Sequence, residues 1–190
     1  MEISNSSSLS ISLDSVRAGN AEAWSRVCDH FKVGLVAKAN QLLRRNRIVK
    51  KISSEDVVQE TYLKAWKLKN SFRGNTVAEF AKWLLCILRT TFYDFCRAND
   101  LEETMYSGFD SVGNVETPSK LFVSSEREAM LYYALGEIDS TAQKVIALRH
   151  FEGLKFSEVA ELLKMNPNSV ASVYRRNIKK LQEFIDAQQG

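Results

Sequence analysis

Proline and histidine are scarce in this chain, whose 190 residues hold two of each. With so few breakers and no regular turn spacing of about 8 to 12 residues, an all-β architecture is excluded. The three cysteines, Cys28, Cys86 and Cys96, are scattered without a C-x-x-C, and His30 and His150 are remote from each other in sequence. That spacing offers neither a metal site nor a Cys/His nucleophile, and the thiols are expected to be buried. A Gly-rich phosphate loop and a nucleophile paired with a base are missing too, so the expectation is a non-enzyme with no catalytic residue, no metal and no cofactor. Long apolar runs are also absent. The longest, such as WLLCIL at 83–88, fall far short of the ~20 residues that span a bilayer, and the polar N-terminus lacks the apolar stretch of a signal peptide. A cytoplasmic protein with no membrane insertion is expected.

What is present is helical pattern and unevenly placed charge. Hydrophobic residues make up 45% of the chain, enough for packed cores, and the formal net charge is +3. Residues 1–99 carry 16 Lys and Arg against 9 acids, residues 100–125 carry one Lys against five acids, and residues 126–190 carry nine of each. The acidic middle contains Gly, Ser, Asn and Pro but no sustained period, as a linker does. The spacing predicts helices near 12–18, 20–45, 53–70, 76–98, 125–137, 140–150, 156–164 and 167–184. Capping-box pairs mark three starts: Thr76 with Glu79, Ser125 with Glu128, and Ser140 with Gln143. The expected fold is all-α: two small helical domains joined by a flexible acidic linker. Its boundaries are a tail at 1–12, a domain at 13–99, the linker at 100–124, a second domain at 125–184 and a tail at 185–190.

The second domain ends in a pair of short helical patterns separated by Lys164-Met165-Asn166, the length of the turn in a helix-turn-helix. Asn166 is a good N-cap and Pro167 suits the first helical position. From Lys164 to Lys180 every charged residue is positive, which is what phosphate neutralisation requires. Lys164 stands where glycine is frequent, and a left-handed conformation there costs roughly 1–2 kcal/mol. An ordinary helical hairpin with a solvated basic end is the competing reading.

In the first domain, the helix from 53 sets Asp56, Gln59, Glu60 and Leu63 around the edge of an apolar stripe formed by Val57, Val58, Tyr62, Ala65 and Trp66. Such an edge suits a basic partner, and acids in the first turns also complement the helix dipole. The next stretch interleaves Phe72, Phe80, Trp83, Phe92, Tyr93 and Phe95 with Arg73, Lys82, Arg89 and Arg97. Aromatic faces beside cations suit unstacked bases. Trp83, Leu84 and Ile87 repeat at helical spacing and are expected in the core, whereas Phe72 lies in the Gly-containing loop SFRGN and fits no core stripe.

Taken in order, DVVQETYLKAW, SFRGN, WLLCILRTTFYDFCR and ALRHFEGLKFSEVAELLKMNPNSVASVYRR resemble the two conserved domains of a sigma-70 family RNA polymerase sigma factor. The layout resembles the extracytoplasmic-function (ECF) subfamily, which keeps only sigma regions 2 and 4. The resemblance implies that Asp56, Val57, Gln59, Glu60 and Leu63 bind the clamp helices of the polymerase β′ subunit. It implies that Phe72, Arg73, Gly74 and Asn75 form the loop capturing a base flipped from the minus-10 element, with Arg89, Thr90 and Arg97 on the adjoining helix. Ser169, Ser172, Arg175, Arg176 and Lys179 match the helix entering the minus-35 major groove. The implied partners are core RNA polymerase, through the β′ clamp helices and β flap, promoter DNA, and an anti-sigma factor, for which no residue is diagnostic.

Two departures from the family pattern concern base choice. Thr90 stands where Asn is usual at the back of the base pocket, keeping a hydroxyl but not an amide's donor and acceptor. In the recognition helix Ala171, Val173, Asn177 and Ile178 replace residues that are commonly Lys or Arg, Arg, Ala and Arg, so a minus-35 sequence cannot be borrowed from relatives. The expected function is an alternative sigma factor that recognises both promoter elements and assists melting. The alternative is a helix-turn-helix activator or repressor that is not a polymerase subunit, which leaves the aromatic loop and the DVVQE edge unexplained.

Overall fold

In a computed structural model, the structure describes residues 13–45, 52–98 and 126–187, and the expected linker and the capping residue Ser125 lie outside them. The described elements are helical: α1 (Leu13–Arg17), α2 (Ala21–Arg45), α3 (Ser54–Leu68), α4 (Val77–Ala98), α5 (Glu126–Gly136), α6 (Ser140–Ile146), α7 (Phe156–Leu163) and α8 (Pro167–Ala187). A 3-10 turn, Lys69–Ser71, follows α3, and a π turn, Ala147–Phe151, follows α6, where the sequence pattern predicts one continuous helix.

Local chemistry sets the ends. Ser53 caps α3 by accepting from the N–H of Glu55 at 3.1 Å, satisfying a donor that has no partner within the helix. Thr76 and Glu79 form the expected reciprocal cap of α4: Glu79 N–H donates to the Thr76 hydroxyl at 3.1 Å, and Thr76 N–H donates to the Glu79 carboxylate at 3.0 Å. The cap of α6 shifts by one residue from the expected Ser140. Asp139 accepts from Ala142 N–H at 2.9 Å, its carboxylate being the stronger acceptor beside the helix dipole.

The N-terminal unit packs α2, α3 and α4 around Phe31, Leu35, Val57, Phe80, Leu84, Leu88 and Phe92, all 1% exposed or less. A smaller core of Val145, Val159, Ala160 and Val170, flanked by Leu148, Phe156, Leu163 and Tyr174, holds the helix-turn-helix. Its turn is as expected. Lys164 closes α7 in the left-handed region at φ 53°, Met165 N–H donates to the Ala160 carbonyl at 2.9 Å, and Asn168 N–H donates to the Asn166 side chain at 2.9 Å to begin α8.

The two units are not held apart. Helix α5 lies against both α2 and α4, and Ala129, Tyr132, Ala134 and Leu135 join the N-terminal core. Gly34 on α2 makes room for the approach, since a Cβ there would stand 3.0 Å from Tyr132 Cδ1 and 3.2 Å from its Cβ. Polar contacts surround that seam. Glu128 accepts from Lys38 Nζ at 2.6 Å and from Arg89 Nη2 at 3.2 Å, Asn40 donates to Glu152 at 3.0 Å, and His30 Nε2 donates to the Tyr133 carbonyl at 2.9 Å.

Candidate nucleic-acid interface

Helical spacing separates the five α3 residues into two sets. Asp56, Gln59, Glu60 and Leu63 fall three, four and seven residues from the first and share one face, with Leu63 50% exposed. Ser53 Oγ caps the Asp56 N–H at 3.4 Å, and among the described residues the four side chains themselves meet no hydrogen-bond or ion-pair partner. Val57 is a correction: it is one position on, fully buried in the core, and does not reach that surface.

The loop after α3 also differs from expectation. Phe72 is 6% exposed: it is a core residue. Its ring packs on Phe80 at 5.2 Å and on Trp83 at 5.3 Å between centroids, and Trp83 itself is only partly buried. Gly74 lies against the Phe72 ring, where an added Cβ would meet Phe72 Cζ at 2.6 Å, so the backbone closes onto the aromatic only because that residue has no side chain. Phe72 therefore anchors the loop from below and cannot itself receive a base in this arrangement. Beyond Phe72, the exposed side chains of the loop are those of Arg73 and Asn75. The Glu79 carboxylate holds the far end, accepting from the N–H groups of Asn75 at 2.8 Å and Thr76 at 3.0 Å. The Thr76 N–H, then the Asn75 N–H, keep that carboxyl below its ordinary range.

An open cavity of about 420 Å³ borders the loop, lined by Arg17, Asn70, Phe72, Arg73 and Asn75. Two cations, two amides and an aromatic edge make it a polar recess suited to a planar, hydrogen-bonding group. Arg17 and Asn70 carry no sequence signal: one sits on α1, far from the loop in the chain, the other in the 3-10 turn.

On α4, Thr90 is exposed and its hydroxyl donates to the Ile87 carbonyl at 2.9 Å, leaving lone pairs toward solvent. Arg97 is exposed and pairs with Asp94, which also accepts from Lys64 Nζ at 2.6 Å. That Lys64 bond, ahead of Arg97, holds the Asp94 carboxyl below its usual value. Arg89 is partly buried at the seam with α5. On α8, Ser169, Ser172, Arg175, Arg176 and Lys179 are all exposed on the face opposite Val170, Asn177 and Leu181. Ser172 donates to the Asn168 carbonyl at 2.8 Å, and Lys179 reaches Glu183 at 3.6 Å across a solvated gap that adds little stability.

An outward acid and apolar strip, a pre-shaped cationic loop and a basic helix-turn-helix thus occur in one chain. The family pattern "Sigma-70 region 2" matches residues 35–102, and "Sigma-70, region 4" matches residues 128–181, together well over half of the chain. The chain belongs to the sigma-70 family. An ECF RNA polymerase sigma-E factor of Haemophilus influenzae is 25% identical over 184 residues, covering 92% of this chain and 91% of that protein. The ECF RNA polymerase sigma-E factor of Escherichia coli K12 is 27% identical over 141 residues, covering 69% and 71%. Among solved structures, the sigma factor RpoE of Bartonella quintana, in complex with the anti-sigma factor NepR, is 23% identical and covers 82% of this chain and 94% of that one, with a TM-score of 0.34. This sigma factor is therefore built as region 2 and region 4 units, all-α among the described residues, and no described helix is long and apolar enough to cross a membrane.

Proposed function

We propose that the chain acts in the cytoplasm as a dissociable specificity subunit of RNA polymerase, with its promoter contacts divided between the two units. Asp56, Gln59, Glu60 and Leu63 present the α3 face to the β′ clamp helices. Arg73, Gly74 and Asn75 capture a base from the minus-10 element beside Thr90 and Arg97, with Phe72 as the anchor of that loop. Ser169, Ser172, Arg175, Arg176 and Lys179 enter the minus-35 major groove, the cations neutralising phosphate or reading base edges. The β flap takes the C-terminal unit, and an anti-sigma factor belongs to the proposed partners through the subfamily. The proposed role is binding and positioning, with no bond made or broken by this chain.

The observation that carries this reading is the α3 face. A DNA-binding repressor has no use for an outward strip of two acids, an amide and a leucine whose side chains meet no hydrogen-bond or ion-pair partner among the described residues, whereas a polymerase subunit needs one. Changing Asp56, Gln59 and Glu60 together to Ala is expected to weaken binding to core polymerase and leave the melting temperature nearly unchanged. Titration against core polymerase, followed by transcription from a promoter library, checks it. Core binding at wild-type strength would overturn the assignment.

A further inference from the structure

We propose that Arg17, on the short first helix, is the positioning residue that holds the base-capturing loop in its binding shape. This rests on the assignment of that loop to the minus-10 strand. The guanidinium joins a neighbour on its own helix to two residues of the loop, which is distant from it in sequence. Its Nη1 donates to Asp14 at 2.9 Å, its Nη2 donates to the Gly74 carbonyl, and its carbon lies 5.2 Å from the centre of the Phe72 ring. The contacts to Gly74 and Phe72 act on the loop, whereas the Asp14 pair is an exposed contact within α1. Gly74 is the residue whose backbone closes on Phe72, and its carbonyl accepts from Arg17. The Glu79 carboxylate fixes the N–H groups of Asn75 and Thr76, the next two residues, so Arg17 and Glu79 clamp the loop from opposite polar ends.

Arginine suits this role in a way lysine does not. A planar guanidinium lies over an aromatic face while its separate N–H groups donate in different directions, whereas an ammonium is a single point charge. The Arg17 side chain also lines the cavity with Asn70, Arg73 and Asn75. It therefore shapes the wall that a flipped base would meet. A loop already ordered before DNA arrives spends none of the binding free energy on its own ordering, which is the advantage of preorganisation. Helix α1, anchored in the N-terminal core by Leu13 and Val16, thereby becomes part of the melting machinery.

The test uses full-length Arg17→Met and Arg17→Lys, with Asp14→Asn as the control that loses only an exposed helix pair. Each is assembled with core polymerase and given one promoter in two forms, intact duplex and a template with a pre-mismatched minus-10 bubble. Arg17→Met and Arg17→Lys are expected to bind core and capture duplex like wild type, and to open the duplex slower by on the order of tenfold or more, as misplaced groups do. The defect shrinks on the mismatched template, and Asp14→Asn behaves as wild type. The salt dependence of promoter binding stays unchanged.

The inference would be overturned by Arg17→Met opening duplex at the wild-type rate; by full activity of Arg17→Lys, which would make charge rather than geometry the requirement; or by a salt slope lower by about one unit, which marks a direct phosphate contact. Equal loss of core binding, duplex capture and melting temperature would make Arg17 merely structural and overturn it too. If wild-type holoenzyme opens no duplex promoter, the failure lies in the sigma-factor reading instead.

Discussion

Glu128 of α5 bridges Lys38 of α2 and Arg89 of α4, one carboxylate oxygen at 2.6 Å from the first and the other at 3.2 Å from the second. A region 4 residue thus occupies a region 2 cation that the resemblance implies for minus-10 DNA, and in that reading phosphate would compete with Glu128 for Arg89. Glu128→Gln keeps the shape and removes the charge. Loss of a charge-assisted, partly buried contact of this kind costs about 1–3 kcal/mol. We expect the α5 seam to loosen, seen as a longer distance between fluorophores on α2 and α8, and binding of single-stranded minus-10 DNA by the free protein to strengthen several-fold. Unchanged distance and affinity would show that the bridge neither holds the seam nor masks Arg89.

His30 makes the same seam dependent on pH. Its side chain is buried, donates to the Tyr133 carbonyl and stands 3.9 Å from Glu137. Burial lowers its pKa below the ordinary 6.5 and outweighs the opposing pull of Glu137 and the carbonyl. The fold therefore holds the neutral ring, and near pH 6 the unfolded chain binds more protons than the folded one. Stability from this group is complete above pH 6.5 and drains as pH falls toward the lowered value, by at most ~1.4 kcal/mol per pH unit. Urea unfolding at pH 7.5, 6.5 and 5.5 should show that loss in wild type and a flatter profile in His30→Gln. Identical profiles would remove His30 as the cause.

Helix ends and the helix-turn-helix were legible because each rests on a few neighbouring residues: Thr76 with Glu79, or Asn166 with Pro167. Side-chain placements set by tertiary contact were not. Helix α5 buries Ala129, Met130, Tyr132, Ala134 and Leu135. An element so broadly apolar shows that it will be covered, while its period cannot say by which domain. Phe72 sits in a loop without period, and its burial depends on Gly74, Phe80, Trp83 and Arg17, none adjacent to it in the chain. Val57 was legible as core from its stripe, and the family motif alone placed it in the polymerase-binding set. Asp139 and Ser140 are neighbouring good caps, and only the observed hydrogen bond to Ala142 separates them.

Lys164 is the one described non-glycine residue with positive φ, closing α7 at φ 53° and ψ 45°. Its side chain is exposed, so glycine removes the left-handed penalty of roughly 1–2 kcal/mol with little packing lost, against a smaller entropic gain of the unfolded chain. Lys164→Gly is expected to stabilise the fold by about 1 kcal/mol and raise the melting temperature by roughly 2–4 °C. Calorimetry on the two proteins checks it. A lower melting temperature would mean that the Lys164 side chain contributes more than its exposure indicates.

The loop offers the sharpest contrast between two adjacent residues. Phe72 is buried and holds the loop, while Arg73 is exposed beside the cavity. Phe72→Ala removes an aromatic packed on Phe80 and Trp83 and should cost about 3–5 kcal/mol, lowering stability and every activity that needs region 2 intact. Arg73→Ala touches no core and should leave stability within about 0.5 kcal/mol of wild type. Its effect is expected at the opening step alone, because a cation that meets a flipped base or its phosphate contributes only once the strands part. Permanganate footprinting on intact and pre-mismatched templates, beside a melting curve for each variant, separates the two residues. If Phe72→Ala melts like wild type and Arg73→Ala does not, the aromatic is no anchor and the loop is held by other means.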